Sequence, residues 1–165
     1  AEETINQFSE IYHRKWISMM KTKLGLFGSR SEDQELVTDL LEWMNNNKAD
    51  YTNTFYDLSQ LEMPIGKHYE QNEFKEWYLR WHNRLNKNTN PLKESSRLMR
   101  TINPVVIPRN HNVESVLKAA NANDFKPFFD FLSVLKKPYI DRHSLKPFQS
   151  LPMPSNRIYQ TFCGT

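Results

Sequence analysis

The run Asn103-Pro104-Val105-Val106-Ile107-Pro108-Arg109-Asn110-His111 delivers a cation, an amide and an imidazole from the end of a stiff stretch. Both prolines fix φ, Pro108 restricts Ile107, and the β-branched residues between them favour extended backbone, so residues 104–108 are predicted to be extended. Val113, Val116, Leu117 and Ala120 then recur at helical spacing. Free backbone N–H groups at the start of such a helix favour anions. Asn103, Arg109, Asn110 and His111 are therefore candidates for holding a phosphate or a carboxylate. The same residues equally suit a structural role, with Asn110 capping the helix and Arg109 pairing with a carboxylate of its own fold.

The other segment with reactive chemistry is the ending Tyr159-Gln160-Thr161-Phe162-Cys163-Gly164-Thr165. The Cys163 thiol lies two residues from the terminal carboxylate, whose charge disfavours the thiolate, and only Arg157 supplies a local cation. Pairing Cys163 with His111 or His143 as nucleophile and base has no support beyond the presence of one Cys and some His. A single cysteine excludes an internal disulfide and a cysteine-rich zinc site. His13, His68, His82, His111 and His143 stand apart, with no His-Glu-x-x-His or His-x-x-x-His pair to aim two rings at one metal. Gly25, Gly28, Gly66 and Gly164 fit neither the phosphate-binding loop nor the dinucleotide fingerprint.

The elements that must position these residues read as helices. Ile5, Phe8, Tyr12, Trp16, Met19, Met20 and Leu24 predict a helix over about residues 2–24, stopped by Gly25. Ser31 stands three residues before Gln34, a capping-box spacing, ahead of a helix through Leu36, Val37, Leu40, Leu41 and Met44. Asp50 is expected to cap a third helix reaching Leu61 before Pro64. Phe74, Trp77, Tyr78, Trp81 and Leu85 define an aromatic fourth helix. Its stripe suits core packing, with a base-stacking platform as the rarer alternative. Asn90-Pro91 reads as cap and first residue of a short helix through Met99. Asp124 caps a last helix carrying Phe125, Phe128, Phe129, Leu132 and Leu135, with Pro127 in its first turn. The expected fold is mainly α, an irregular domain of about six to seven helices over residues 1–137. Residues 138–165 contain Pro138, Pro147, Pro152 and Pro154 without helical period, and are expected to form an extended, docked tail.

Length and composition agree. A chain of 165 residues with 38% hydrophobic and 13% aromatic content supports one domain with a true core. Mean hydropathy of −0.74 suits amphipathic helices with solvated faces. No apolar stretch approaches the roughly 20 residues that cross a bilayer, and no secretory signal is present, so a cytoplasmic protein is expected, or a mitochondrial one in a eukaryote. The net charge of +3 divides unevenly, residues 1–83 carrying 9 Lys/Arg against 14 Asp/Glu and residues 84–165 carrying 13 against 5. The basic half makes nucleic acid a partner to weigh. Its cations are scattered singly, apart from Lys136-Lys137, and no groove-reading motif accompanies them, so nucleic acid is not expected. The chain opens at Ala1 directly on a helical pattern, which predicts a piece of a longer protein.

The segment from Asn103 to Glu114 and the ending Thr161-Phe162-Cys163-Gly164-Thr165 together resemble the C-terminal portion of the selenoprotein O (YdiU-like) family. Lys23-Leu24-Gly25-Leu26, Asp50-Tyr51-Thr52-Asn53-Thr54-Phe55 and Lys137-Pro138-Tyr139 match in the same order. The resemblance implies a parent enzyme with a kinase-like region that transfers AMP from ATP, with a divalent metal such as Mg or Mn, onto protein hydroxyls. It implies that the catalytic residues lie in that region, with no position here to receive them, so these residues need no cofactor of their own. It implies as partners the kinase-like domain and the protein substrates, and it associates Cys163 with redox control. The competing expectation is a self-sufficient helical binding module whose basic half engages nucleic acid or an acidic protein.

Overall fold

The structure is a computed structural model that describes residues 2–142 and 145–152. All regular structure among the described residues is helical: α1 (Glu2–Lys23), α2 (Asp33–Asn47), α3 (Tyr51–Leu58), α4 (Asn72–Asn86), α5 (Leu92–Ile102), α6 (Asn110–Asn121), α7 (Lys126–Leu135) and the single turn α8 (Lys146–Gln149). Gly25 ends α1 with φ +68°, and a Cβ there would lie 3.0 Å from Ser95 Cβ. Both the backbone turn and the close approach of α5 therefore require glycine.

Helices α2, α5 and α3 each depart from the sequence expectation at one end. The Ser31–Gln34 capping box does not form. Glu32 takes the cap position without a side-chain bond, because Asp33 turns inward to accept from the Arg30 amide and from Arg84. Pro91, with no side-chain cap, precedes α5, and Glu94 N–H donates to its carbonyl at 2.8 Å. Helix α3 stops at Leu58, short of Leu61, where Ser59 Oγ donates to Phe55 O at 2.7 Å and Leu61 turns to φ +62°. Asp50 caps α3 as expected, accepting from Asn53 N–H at 2.8 Å.

Helices α1 to α5 enclose the main core. α2 packs on α4 and α1, and α5 packs on α1, α3 and α4. The stripe of α4 is buried at Phe74, Trp77, Tyr78, Trp81 and Leu85. Trp77 and Trp81 stack at 5.8 Å, and Trp43 lies 4.6 Å from Phe74. These rings serve packing, and bases have no access to them. A second, smaller cluster joins Val105, Val106, Val134 and Leu145 with Tyr56, Leu135 and Phe148. It fixes the hairpin of α6 and α7 to the rest of the molecule. Residues 146–149 form a helical turn where extended chain was expected, with Phe148 stacked on Phe131 at 5.2 Å. No helix is long and apolar enough to cross a membrane among the described residues.

Candidate functional site

The extended segment 104–108 runs with Val105 and Val106 buried, and Val105 N–H donates to Pro138 O at 2.7 Å. That course carries Arg109 to the start of α3. Both terminal nitrogens of Arg109 bind the Asp50 carboxylate, at 2.8 and 2.7 Å, and Nη2 also donates to Asn53 Oδ1 at 3.0 Å. The Arg109 side chain is only 9% exposed. A planar fork against a carboxylate is a geometry that lysine cannot reproduce. Burial by itself would raise the Asp50 pKa, but Arg109 and the Asn53 amide overcome it and hold the carboxyl below its ordinary range.

The same cluster holds the chain that follows. Asn53 Nδ2 donates to Gln149 O at 3.1 Å, Asn112 Nδ2 to Phe148 O at 3.3 Å, and Gln149 Nε2 to Val105 O at 3.4 Å. The starts of α3 and α6, the extended segment and α8 thus meet in one polar hub. Its chemistry is positional: it consumes the Arg109 charge on Asp50 and fixes where residues 145–150 lie.

Asn103 belongs to a second network at the other end of the segment. It is buried and accepts from Lys23 Nζ at 2.9 Å, while its own amide donates to Lys23 O, Phe55 O and Ser59 Oγ at 2.9, 3.3 and 3.2 Å. Lys23 Nζ lies 4.7 Å from the Phe55 ring centroid and 5.3 Å from that of Tyr51. The ring faces and one amide oxygen stabilise the cation, and burial lowers its pKa. Asn103 and Arg109 share no hydrogen-bond partner. His111 is half-buried with Nε2 unpaired, and Asn110, the first residue of α6, is exposed. Cys163 lies outside the described residues. From sequence, Asp50 has a structural role only as a cap, Lys23 and Asn53 stand only within matching motifs, and Gln149 carries no signal. The signal available for Asn53 was its place three residues after the cap, on the same turn.

Among the described residues no group of three or more His, Cys, Asp or Glu side chains is placed to hold a metal ion. With no phosphate-binding glycine loop either, these residues do not fit the metal-bound nucleotide that the resemblance implies.

The sequence model of a family described as protein adenylyltransferase SelO matches residues 1–136. The chain belongs to the SelO family. The Lys23–Asn103 network and the Arg109–Asp50 pair fall within the residues that match SelO, whereas Phe148 and Gln149 of the hub lie beyond them. The protein nucleotidyltransferase YdiU of Nitrosococcus oceani is 49% identical over 166 residues, covering 100% of this chain and 34% of that protein. Those of Alcanivorax borkumensis and Clostridium perfringens are 48% and 41% identical, with the same coverage. The chain therefore spans about a third of the length of these relatives.

The hub makes a pH-dependent prediction. Because the folded Asp50 pKa is depressed, its pair with Arg109 stabilises the fold above the unfolded carboxylate value of about 3.9, and that stability is lost as pH falls through the folded value. Arg109→Lys keeps the charge but loses the fork, and is expected to cost about 1–3 kcal/mol at pH 7. The cost should shrink in acid, as pH falls through the depressed folded value of Asp50. Urea unfolding of both proteins along a series of falling pH measures this. An equal cost along the series would assign the Arg109 contribution to packing.

Proposed function

We propose that these residues form the helical C-terminal part of a protein nucleotidyltransferase, bracing a kinase-like catalytic region supplied by the rest of the polypeptide. In this reading the whole enzyme transfers AMP from ATP, with a divalent metal, onto Ser, Thr or Tyr hydroxyls of proteins. The observation that carries it is identity of 40–49% to YdiU nucleotidyltransferases over the entire chain, which spans only 34% of them. The bracing role is supported by the construction of the hub, where buried ion pairing is spent on fixing the course of the chain. The bacterial relatives favour a cytoplasmic location.

The test is labelling with ATP that carries a tag on its α-phosphate. The full-length protein is expected to label protein substrates, and residues 1–165 alone are expected to give none. Transfer by residues 1–165 alone would overturn the proposal.

A further inference from the structure

The exposed side of α5 carries cations that neither network uses. Lys93, Arg97 and Arg100 recur at i, i+4 and i+7, so the helix aligns them along one face. With Ser96, Thr101 and Tyr139 they line an open groove of 620 Å³, within the usual range of about 300–1,000 Å³ for ligand sites. Arg100 and Tyr139 also border a more enclosed chamber of 230 Å³, walled further by Tyr56, Ser59, Gln60, Asn103, Val105 and Asp141. The two spaces therefore adjoin.

Their chemistry differs in a way that selects a ligand. The groove is cationic, and its nearest acidic pairing is weak: Glu94 lies 3.8 Å from Arg97 on an exposed surface. Arg100 is held by an amide, donating from Nη2 to Gln60 Oε1 at 2.6 Å, and thus keeps its charge for an incoming anion. Gln60 is in turn anchored on Tyr56 O. The chamber offers acceptors. Asp141 Oδ2 accepts from Tyr56 Oη at 2.6 Å, leaving Oδ1 for a second donor. Burial, then Asp141, pushes the Tyr56 pKa up to about 12, so the phenol remains a donor at neutral pH. The Val105–Pro138 backbone bond at 2.7 Å holds the chain next to Tyr139.

We propose that this composite site binds a sugar phosphate, with the phosphate on Lys93, Arg97 and Arg100 and a sugar hydroxyl donating to Asp141. Arginine and lysine favour phosphate oxygens through charge-assisted bonds. A hydroxylated body satisfies the carboxylate acceptor that an inorganic anion would only meet with repulsion.

Isothermal titration of the full-length protein with ribose 5-phosphate, glucose 6-phosphate and inorganic phosphate tests the assignment. At least one sugar phosphate is expected to bind about tenfold or more tightly than inorganic phosphate. Arg100→Gln, at an exposed position whose folding is checked by circular dichroism, is expected to weaken that binding about tenfold or more. Asp141→Ala is expected to remove the preference over inorganic phosphate while retaining anion binding. Absence of saturable binding, equal affinity for inorganic phosphate, or binding undiminished by Arg100→Gln would each overturn the proposal. Saturable binding of a polyglutamate peptide without any sugar phosphate binding would overturn it too, by making this face a protein-docking surface.

Discussion

Arg84→Met is expected to destabilise the fold by about 3–5 kcal/mol, the cost of leaving one member of a buried ion pair without its partner. Arg84 is 1% exposed and Asp33 2%. The guanidinium donates to both Asp33 oxygens, at 2.6 and 3.3 Å, and also to Phe27 O at 3.0 Å and Asn88 Oδ1 at 2.7 Å. Methionine fills much of the volume but satisfies none of these acceptors. Asp33 would retain Lys21 at 3.1 Å, which limits the loss without replacing it. Burial tends to raise the Asp33 pKa, and Arg84 is the largest influence bringing it below the ordinary value. Urea unfolding followed by tryptophan fluorescence gives the cost. Adding Asp33→Leu to Arg84→Met is expected to recover part of the stability, because the pair is then replaced by apolar groups. A cost below about 1 kcal/mol for Arg84→Met would mean that the pair contributes nothing beyond surface ion pairs.

Trp81→Ala has an effect of similar size from a different source. The side chain is fully buried, stacked on Trp77 and edge-on to Tyr78 at 5.4 Å, and its Nε1–H donates to Leu24 O at 2.9 Å. Truncation empties the centre of the α1–α5 core and is expected to cost about 3–5 kcal/mol. It also orphans the Leu24 carbonyl at the end of α1. Trp81→Phe separates the two contributions: it keeps most of the ring packing and loses the bond, so its cost should be well below that of alanine. Thermal unfolding of the three proteins checks the order. If phenylalanine were as damaging as alanine, the hydrogen bond to Leu24 would outweigh the packing.

The helices were legible because amphipathic periodicity is a local property. Six of the seven longer helices follow runs with three- and four-residue spacing, and α5 begins just after its Asn-Pro signal, with Pro91 outside the helix. The α2 capping box failed because a distant residue competed. Ser31 has the right spacing to cap α2, but Asp33 two residues later is drawn to Arg84 of α4, and the turn follows Asp33. Four residues are too few to show a period, so α8 is visible only once Leu145 and Phe148 are seen docked against Val105, Val134 and Phe131. Lys93, Arg97 and Arg100 read as scattered charge along the chain. Their i, i+4, i+7 spacing was present, but only Tyr139 and the chamber behind it make that face a groove.

Sequence alone determined the helical class, the extended run between Pro104 and Pro108, the stop of α1 at Gly25 and the resemblance to SelO, because each rests on neighbouring residues or ordered motifs. Tertiary structure decided the use of the charges. Arg109 was open to an anion or to a carboxylate of its own fold, and the fold brings Asp50 to it from 59 positions away. Asn103 and Lys23 are 80 positions apart and meet in the core. Such pairings depend on how helices pack, and a guanidinium or ammonium carries no local mark of the group it will meet.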